Sequence, residues 1–128
     1  MPVILAYLLH LLTAAALVLV FFIIYTRITP FNEVALIRGG NQAAALSLGG
    51  ALLGFALTLA SALLHTSDYM QFAGWAAGAM LVQICVYAVA TRLLRMAKDQ
   101  IEADNCAFGR LLGAISLSIG FINAGCIS

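Results

Sequence analysis

Four long apolar stretches restrict what this chain can fold into more than any other feature. They cover residues 3–26, 42–64, 69–91 and 106–128, and together they contain one charged residue, Arg110. A bilayer core about 30 Å thick is crossed by roughly 20 apolar residues in a helix, at about 1.5 Å per residue. Each stretch is long enough to span. The sequence therefore predicts an all-α integral membrane protein with four transmembrane helices.

Composition excludes a water-soluble fold. Of 128 residues, 64% are hydrophobic and 9% are charged, with a mean hydropathy of +1.07, whereas a soluble domain carries about a quarter charged residues. The net charge of +1 argues against a nucleic-acid partner. The four spans use most of the length, so we expect a single membrane domain over residues 1–128.

The first stretch is expected to be a retained span, because no Lys or Arg precedes it and a secretory leader starts with basic residues. Cys85, Cys106 and Cys126 lack paired spacing, and His10 and His65 stand apart in the sequence. We therefore predict no disulfide framework, metal site or cofactor. The sequence shows no nucleophile–base motif and no paired acids, so we expect no enzyme activity.

The distribution of positive charge predicts the orientation. Short loops rich in Lys and Arg stay in the cytoplasm, and the 65–68 turn has neither residue. We expect this turn and both termini to lie outside the cytoplasm, in a bacterial inner membrane. The basic residues expected on the cytoplasmic side are Arg27, Arg38, Arg92, Arg95, Lys98 and Arg110. Arg110, one turn inside the fourth span, could contact a lipid phosphate or serve a partner or anion site.

The first basic loop predicts a short interfacial helix over about residues 30–38. Phe31, Val34 and Ile37 would form its apolar face, with Glu33 outside that face.

The second basic loop, residues 92–104, is expected to continue the third helix into the cytoplasm. Its charges favour a solvated stalk, and a docking surface for a cytoplasmic protein is the alternative.

The two halves of the sequence resemble each other at an offset of 64 residues. Ile37 to Ala43 aligns with Ile101 to Ala107, and Gly49 aligns with Gly113. Each half (1–64 and 65–128) holds two spans, an even number, so both halves would enter the membrane in the same direction. The sequence predicts parallel repeats related by a pseudo-two-fold axis along the membrane normal.

The segment from Ile28 to Gly54 also carries a family resemblance. It reads ITPFNEVALIRGGN, continues into AAALSLGG and ends at Gly54 before Phe-Ala-Leu. This sequence resembles the YjfL-like bacterial inner-membrane proteins, a family catalogued as domain of unknown function 350. The resemblance extends over the whole chain, more loosely in the second half. It implies a bacterial inner-membrane location, no established activity and no catalytic residues.

Small residues at helical spacing predict where helices pack, because close backbone approach drives helix association in lipid. They are Gly50, Gly54 and Thr58 in the second span, Gly74 and Gly78 in the third, and Gly109, Gly113 and Gly120 in the fourth. The first span is bulky on every side. We therefore expect spans two and four at the centre, span one facing lipid, and a homo-oligomer.

Polar residues inside the spans are the candidates for a site. They are His10, Thr13, Thr58, Ser61, Gln83 and Asn123. Most fall at one depth, in the outer third, where they could line a cavity with His10 as a proton or ligand site. The alternative is a set of separate interhelical hydrogen bonds, each worth about 0.6 kcal/mol.

No Asp or Glu occurs within any span. Proton-coupled carriers commonly use a membrane-embedded carboxylate, and small multidrug-resistance exporters, which are similar in length, need a glutamate in the first span.

Two hypotheses remain. One is a non-enzymatic oligomeric module that anchors or organises partner proteins. The other is a channel or permease for a small solute or ion, with a polar path near His10, Thr58 and Asn123.

Overall fold

The structure, a computed structural model, describes residues 3–28, 32–93 and 97–127, without the side chains of 91–93 and 97–98. The helices in chain order are α1 (Val3–Ile28), α2 (Glu33–Arg38), α3 (Gln42–His65), α4 (Tyr69–Leu93), α5 (Ala97–Glu102) and α6 (Cys106–Ile127). The predicted all-α fold with four transmembrane helices is confirmed, since α1, α3, α4 and α6 are long and apolar enough to cross a membrane. We call the end that carries α2 and α5 the α2/α5 end, and the opposite end the terminal end.

Helices α3 and α6 form the tight centre of the bundle. A Cβ atom placed on Gly50 would meet the backbone of Gly113, and one on Gly109 would meet the backbone of Ala43. At Gly54 the Cβ position lies 2.7 Å from the carbonyl oxygen of Ser116. Only glycine allows this approach, because any other side chain would occupy space held by the neighbouring backbone.

The two central helices run in the same direction. Contacts proceed along both chains together, from Ala43 with Gly109 through Gly50 with Gly113 to Ser61 with Ala124. Each pair is separated by roughly the repeat offset. The two helices that the predicted repeat would make equivalent therefore pack side by side.

The turn before each central helix has the same backbone geometry. After α2, the N–H groups of Gly40 and Asn41 donate to the carbonyls of Ile37 and Leu36, which is a Schellman motif. Sixty-four residues later, the N–H groups of Asp104 and Asn105 donate to the carbonyls of Ile101 and Gln100, at the same distances within 0.1 Å.

The residue at the turn position of each motif has a positive φ: +87° at Gly40 and +59° at Asp104. Glycine adopts this conformation freely, and aspartate is among the few other residues that tolerate it. Asn41 and Asn105 then cap the following helices by accepting from the N–H groups of Ala44 and Phe108.

Helix α1 packs loosely on this centre. Its buried residues are Phe21 and Tyr25, and its other large apolar side chains lie mostly on the surface. Phe21 stacks on Phe55 with ring centroids 4.6 Å apart. Since hydrocarbon is as good a solvent for Leu and Ile as a protein core is, an exposed α1 costs little in a bilayer.

Two predicted packing residues do not pack. A Cβ atom on Gly74 or Gly78 meets nothing within 4 Å, and both glycines are exposed. The prediction that they hold helices together within the chain is wrong. The face of α4 that packs instead carries Phe72, Ala76 and Met80.

The predicted faces of the two basic loops also need correction. In α2, Val34 is exposed whereas Glu33 is buried, and Leu36 and Ile37 pack on the core; Phe31 lies outside the described residues. The helix thus turns its 33/36/37 face to the bundle.

The second loop is not a fully solvated stalk. Ile101 is fully buried, and its carbonyl accepts a 2.7 Å hydrogen bond from the Asn41 side chain. Burial of Ile101 therefore holds the loop against the bundle. The charged residues on either side of Ile101 in the sequence did not indicate this contact.

Gly54→Leu should destabilise the protein by about 3 kcal/mol or more, because the new side chain overlaps the α6 backbone and cannot be accommodated by a rotamer change. Thermal melting and size-exclusion chromatography in detergent measure the effect. Gly49→Leu, at a glycine of the same helix with open space around it, is the matched control and should melt like the parent. Equal melting of both variants would contradict the α3–α6 contact.

Candidate functional site

The polar residues predicted near the outer third do not meet in one cavity. His10 bonds to the carbonyl of Ala6 in its own helix, at 2.7 Å, and its ring contacts those of Tyr69 and Phe72. Thr13 shares a 2.9 Å hydrogen bond with the Tyr69 hydroxyl. These two residues therefore join α1 to α4.

Thr58 and Ser61 lie on a different interface, between α3 and α6. The Thr58 hydroxyl contacts the carbonyls of Gly54 and Gly120, each at 3.0 Å. The Ser61 hydroxyl donates to the carbonyl of Ala124 at 2.6 Å. Both bonds hold the central helix pair at the terminal end.

Gln83 and Asn123 serve two further interfaces. Gln83 is buried and its Nε2 donates to the carbonyl of Ala51 at 2.9 Å, with the carbonyl of Ser116 at 3.4 Å. Asn123 donates to the carbonyl of Ala79 at 3.3 Å. The six predicted residues are thus distributed over α1–α4, α3–α6, α3–α4 and α4–α6 contacts.

Among the basic residues expected at one side, Arg27 and Arg38 are exposed at the α2/α5 end, and Arg110 is exposed one turn inside α6. Arg95 lies outside the described residues, as do the side chains of Arg92 and Lys98.

Four polar residues form a buried group at the α2/α5 end, which we call the inner polar cluster: Tyr25, Glu33, Ser47 and Tyr87. The Ser47 and Tyr87 hydroxyls are 3.0 Å apart, and the rings of Tyr25 and Tyr87 lie 4.3 Å apart between centroids. The Glu33 carboxylate is close enough to both phenols to interact electrostatically with them. Helices α1, α2, α3 and α4 each contribute one member.

The position of Glu33 follows from how α2 begins. Asn32 accepts from the N–H of Ala35 and caps the helix, so Glu33 is the first helical residue. An acidic residue in the first turn is stabilised by the unpaired N–H groups there. The cap fixes the helix so that Glu33 points into the bundle end, with 0% of its surface exposed.

The inner polar cluster offers oxygen atoms only: one carboxylate and three hydroxyls. This donor set suits protons and hard cations rather than nucleophilic chemistry, for which a base such as histidine would be required. Within the residues that the structure describes, no group of three or more His, Cys, Asp or Glu side chains could hold a metal ion.

Sequence reasoning missed the cluster because Glu33 precedes Val34 in a loop that looked amphipathic. Two signals could have found it. Tyr25 and Tyr87 are polar-tipped aromatic residues near the same end of two spans, and Ser47 lies in the span that the loop feeds. A buried hydroxyl in a span needs a partner, so these positions could have been expected to converge.

The fold and these contacts define a small integral membrane protein of four spanning helices. The chain belongs to the family described as Domain of Unknown Function (DUF350), which it matches over residues 1–127. It is 34% identical over 113 residues to the UPF0719 inner membrane protein YjfL of Escherichia coli strain K12, covering 88% of this chain and 86% of that protein. It is 28% identical over 115 residues to the UPF0719 transmembrane protein YshE of Bacillus subtilis strain 168, with the same coverage. No solved structure matches the chain significantly.

Glu33→Lys should destabilise the protein by about 3–5 kcal/mol, because it puts a cation into a buried site arranged around a carboxylate. Glu102→Lys makes the same change at the exposed end of α5 and should have little effect. Thermal melting of both variants in detergent is the measurement. If the two variants melt at the same temperature, Glu33 is not buried.

Proposed function

We propose that this protein is a non-enzymatic, oligomeric module of the bacterial inner membrane that anchors or organises partner proteins. The observation that carries the proposal is how the intramembrane polar groups are used. Thr13, Thr58 and Ser61 each bond to another helix of the same chain through their hydroxyls. A hydroxyl that is engaged in an interhelical hydrogen bond stabilises the helix bundle, and it is not available to line a permeation pathway.

The surface of the bundle supports the oligomeric part of the proposal. Gly74, Trp75 and Gly78 are exposed on α4, and beside them a cleft of about 260 Å³ runs between α4 and α6. Small residues next to an aromatic ring allow a helix of another copy to approach closely.

The α2/α5 end is the surface that we assign to partners, and we propose that it faces the cytoplasm. Exposed charges of both signs lie there, including Arg38, Glu102 and Asp104. Glu102 and Asp104 border a concave surface of about 320 Å³ at the turns after α2 and α5. Mixed charge of this kind favours specific protein contacts.

A channel or permease is the second candidate, and two buried polar groups outside the inner polar cluster favour it. One turn along α4 from Tyr87 is Gln83, whose Oε1 is buried with no hydrogen-bond partner in the described part of the chain. The hydroxyl of Ser116 is in the same situation. Unsatisfied polar groups at mid-depth are unfavourable in lipid, and a permeating solute could satisfy them.

The orientation is tested with single cysteines in a cysteine-free background. Asp68→Cys should react with an impermeant maleimide in intact spheroplasts, because we place the 65–68 turn outside the cytoplasm. Glu102→Cys should react only after the membrane is permeabilised. The opposite pattern would reverse the assigned topology.

The function is tested by combining photo-crosslinking in cells with flux in liposomes. A photoreactive residue at Arg38 should capture a defined partner band, whereas the same residue at His65, at the terminal end, should not. Purified protein in liposomes should leave ion and small-metabolite flux at the level of empty vesicles. Flux above that level that is lost in Gln83→Ala, without position-specific crosslinks, would favour the channel or permease instead.

A further inference from the structure

A groove on the outside of the bundle follows the line where α3 and α6 touch. It has a volume of about 370 Å³, and its walls include Leu46, Gly49, Leu53, Arg110, Ala114 and Leu117. The floor is formed by Gly50 and Gly113, whose backbones are in contact. The groove is open to the surrounding bilayer and apolar along its length except at one end.

The α3 and α6 residues that line the groove occupy equivalent positions in the two halves of the sequence. At the offset of 64 residues, Gly49 corresponds to Gly113 and Leu53 to Leu117. The same offset places Arg110 where the other half has Leu46. One wall therefore carries a positive charge where its counterpart carries a leucine, so the apolar pattern of the repeat does not account for the arginine.

Arg110 lies four residues after the start of α6, which is about 6 Å from the α2/α5 end of the span. Its side chain is exposed. A guanidinium at this depth can reach the plane of the lipid phosphates, and its planar fork matches a phosphate in a bidentate arrangement.

We propose that the groove is a binding site for an anionic glycerophospholipid. The Arg110 guanidinium holds the phosphate, and one acyl chain lies along the glycine floor between Leu53 and Leu117. A flexible hydrocarbon chain fits a narrow apolar groove that begins at a charge. All five acidic residues lie outside the spanning helices, so the spanning surface of a second copy offers no carboxylate beside the groove, whereas a lipid brings its phosphate and its acyl chain together.

This inference does not depend on whether the protein organises partners or transports a solute. It is tested by native mass spectrometry of the detergent-purified protein, titrated in parallel with phosphatidylglycerol and phosphatidylethanolamine. The parent should bind phosphatidylglycerol more tightly. Arg110→Gln should weaken that binding about fivefold and remove the difference between the two lipids. Arg27→Gln removes another exposed positive charge from the same end and should preserve the difference.

The groove itself is tested by Gly49→Leu. Nothing lies within 4 Å of a Cβ atom at Gly49, so the leucine fills the groove without disturbing the α3–α6 contact, and binding of both lipids should fall. Ala60→Leu, at an exposed position of α3 outside the groove, should bind both lipids like the parent. Thermal melting verifies that each variant is folded.

Three outcomes would overturn the proposal. The parent could bind the two lipids equally, or Arg27→Gln could weaken phosphatidylglycerol binding as much as Arg110→Gln. Alternatively, Gly49→Leu could leave lipid binding unchanged and reduce the oligomer mass, which would show that a second copy occupies the groove.

Discussion

Direct contact between the backbones of α3 and α6 is the constraint on which the rest of the structure depends. In lipid there is little hydrophobic force between helices, so dispersion contacts and interhelical hydrogen bonds must hold the bundle. The glycines at positions 50, 54, 109, 113 and 120 bring the two helices close enough for both. The Thr58 hydroxyl reaches the Gly120 carbonyl only because no side chain separates the helices there.

The remaining spanning helices pack around this pair less tightly, α4 more closely than α1. Helix α4 is attached by Gln83, whose amide group reaches a carbonyl of α3 and lies near one of α6. Helix α1 is attached by the Thr13–Tyr69 bond and by the stacking of Phe21 on Phe55. A bundle built in this order presents α1 and one face of α4 to its surroundings, which is where lipid or another copy would be met.

The four spans and the central pair of α3 and α6 could be predicted from the sequence because both depend on strong local signals. Apolar length defines a span, and Gly50, Gly54 and Gly113 mark a close approach. The same signal was misleading at Gly74 and Gly78, because a glycine pattern does not reveal which face of its helix meets a neighbour. Tyr25, Glu33 and Ser47 were not grouped, since their meeting depends on how α2 folds back, which is a tertiary result. The alternative of separate interhelical bonds describes Thr13, Thr58 and Ser61 better than a shared cavity does.

The parallel course of α3 and α6 has an electrostatic consequence. Each helix places a partial charge of about +0.5 at its N-terminus, and here both N-termini lie side by side at the α2/α5 end. Two aligned dipoles in a medium of low dielectric constant repel each other. The carboxylate of Asp104 lies between them, accepts the N–H of Ala43 at 2.9 Å and immediately precedes the cap of α6. The negative charge of Asp104 thereby offsets the two partial positive charges at the N-termini of α3 and α6. This reduces the repulsion between two parallel helices that are in contact.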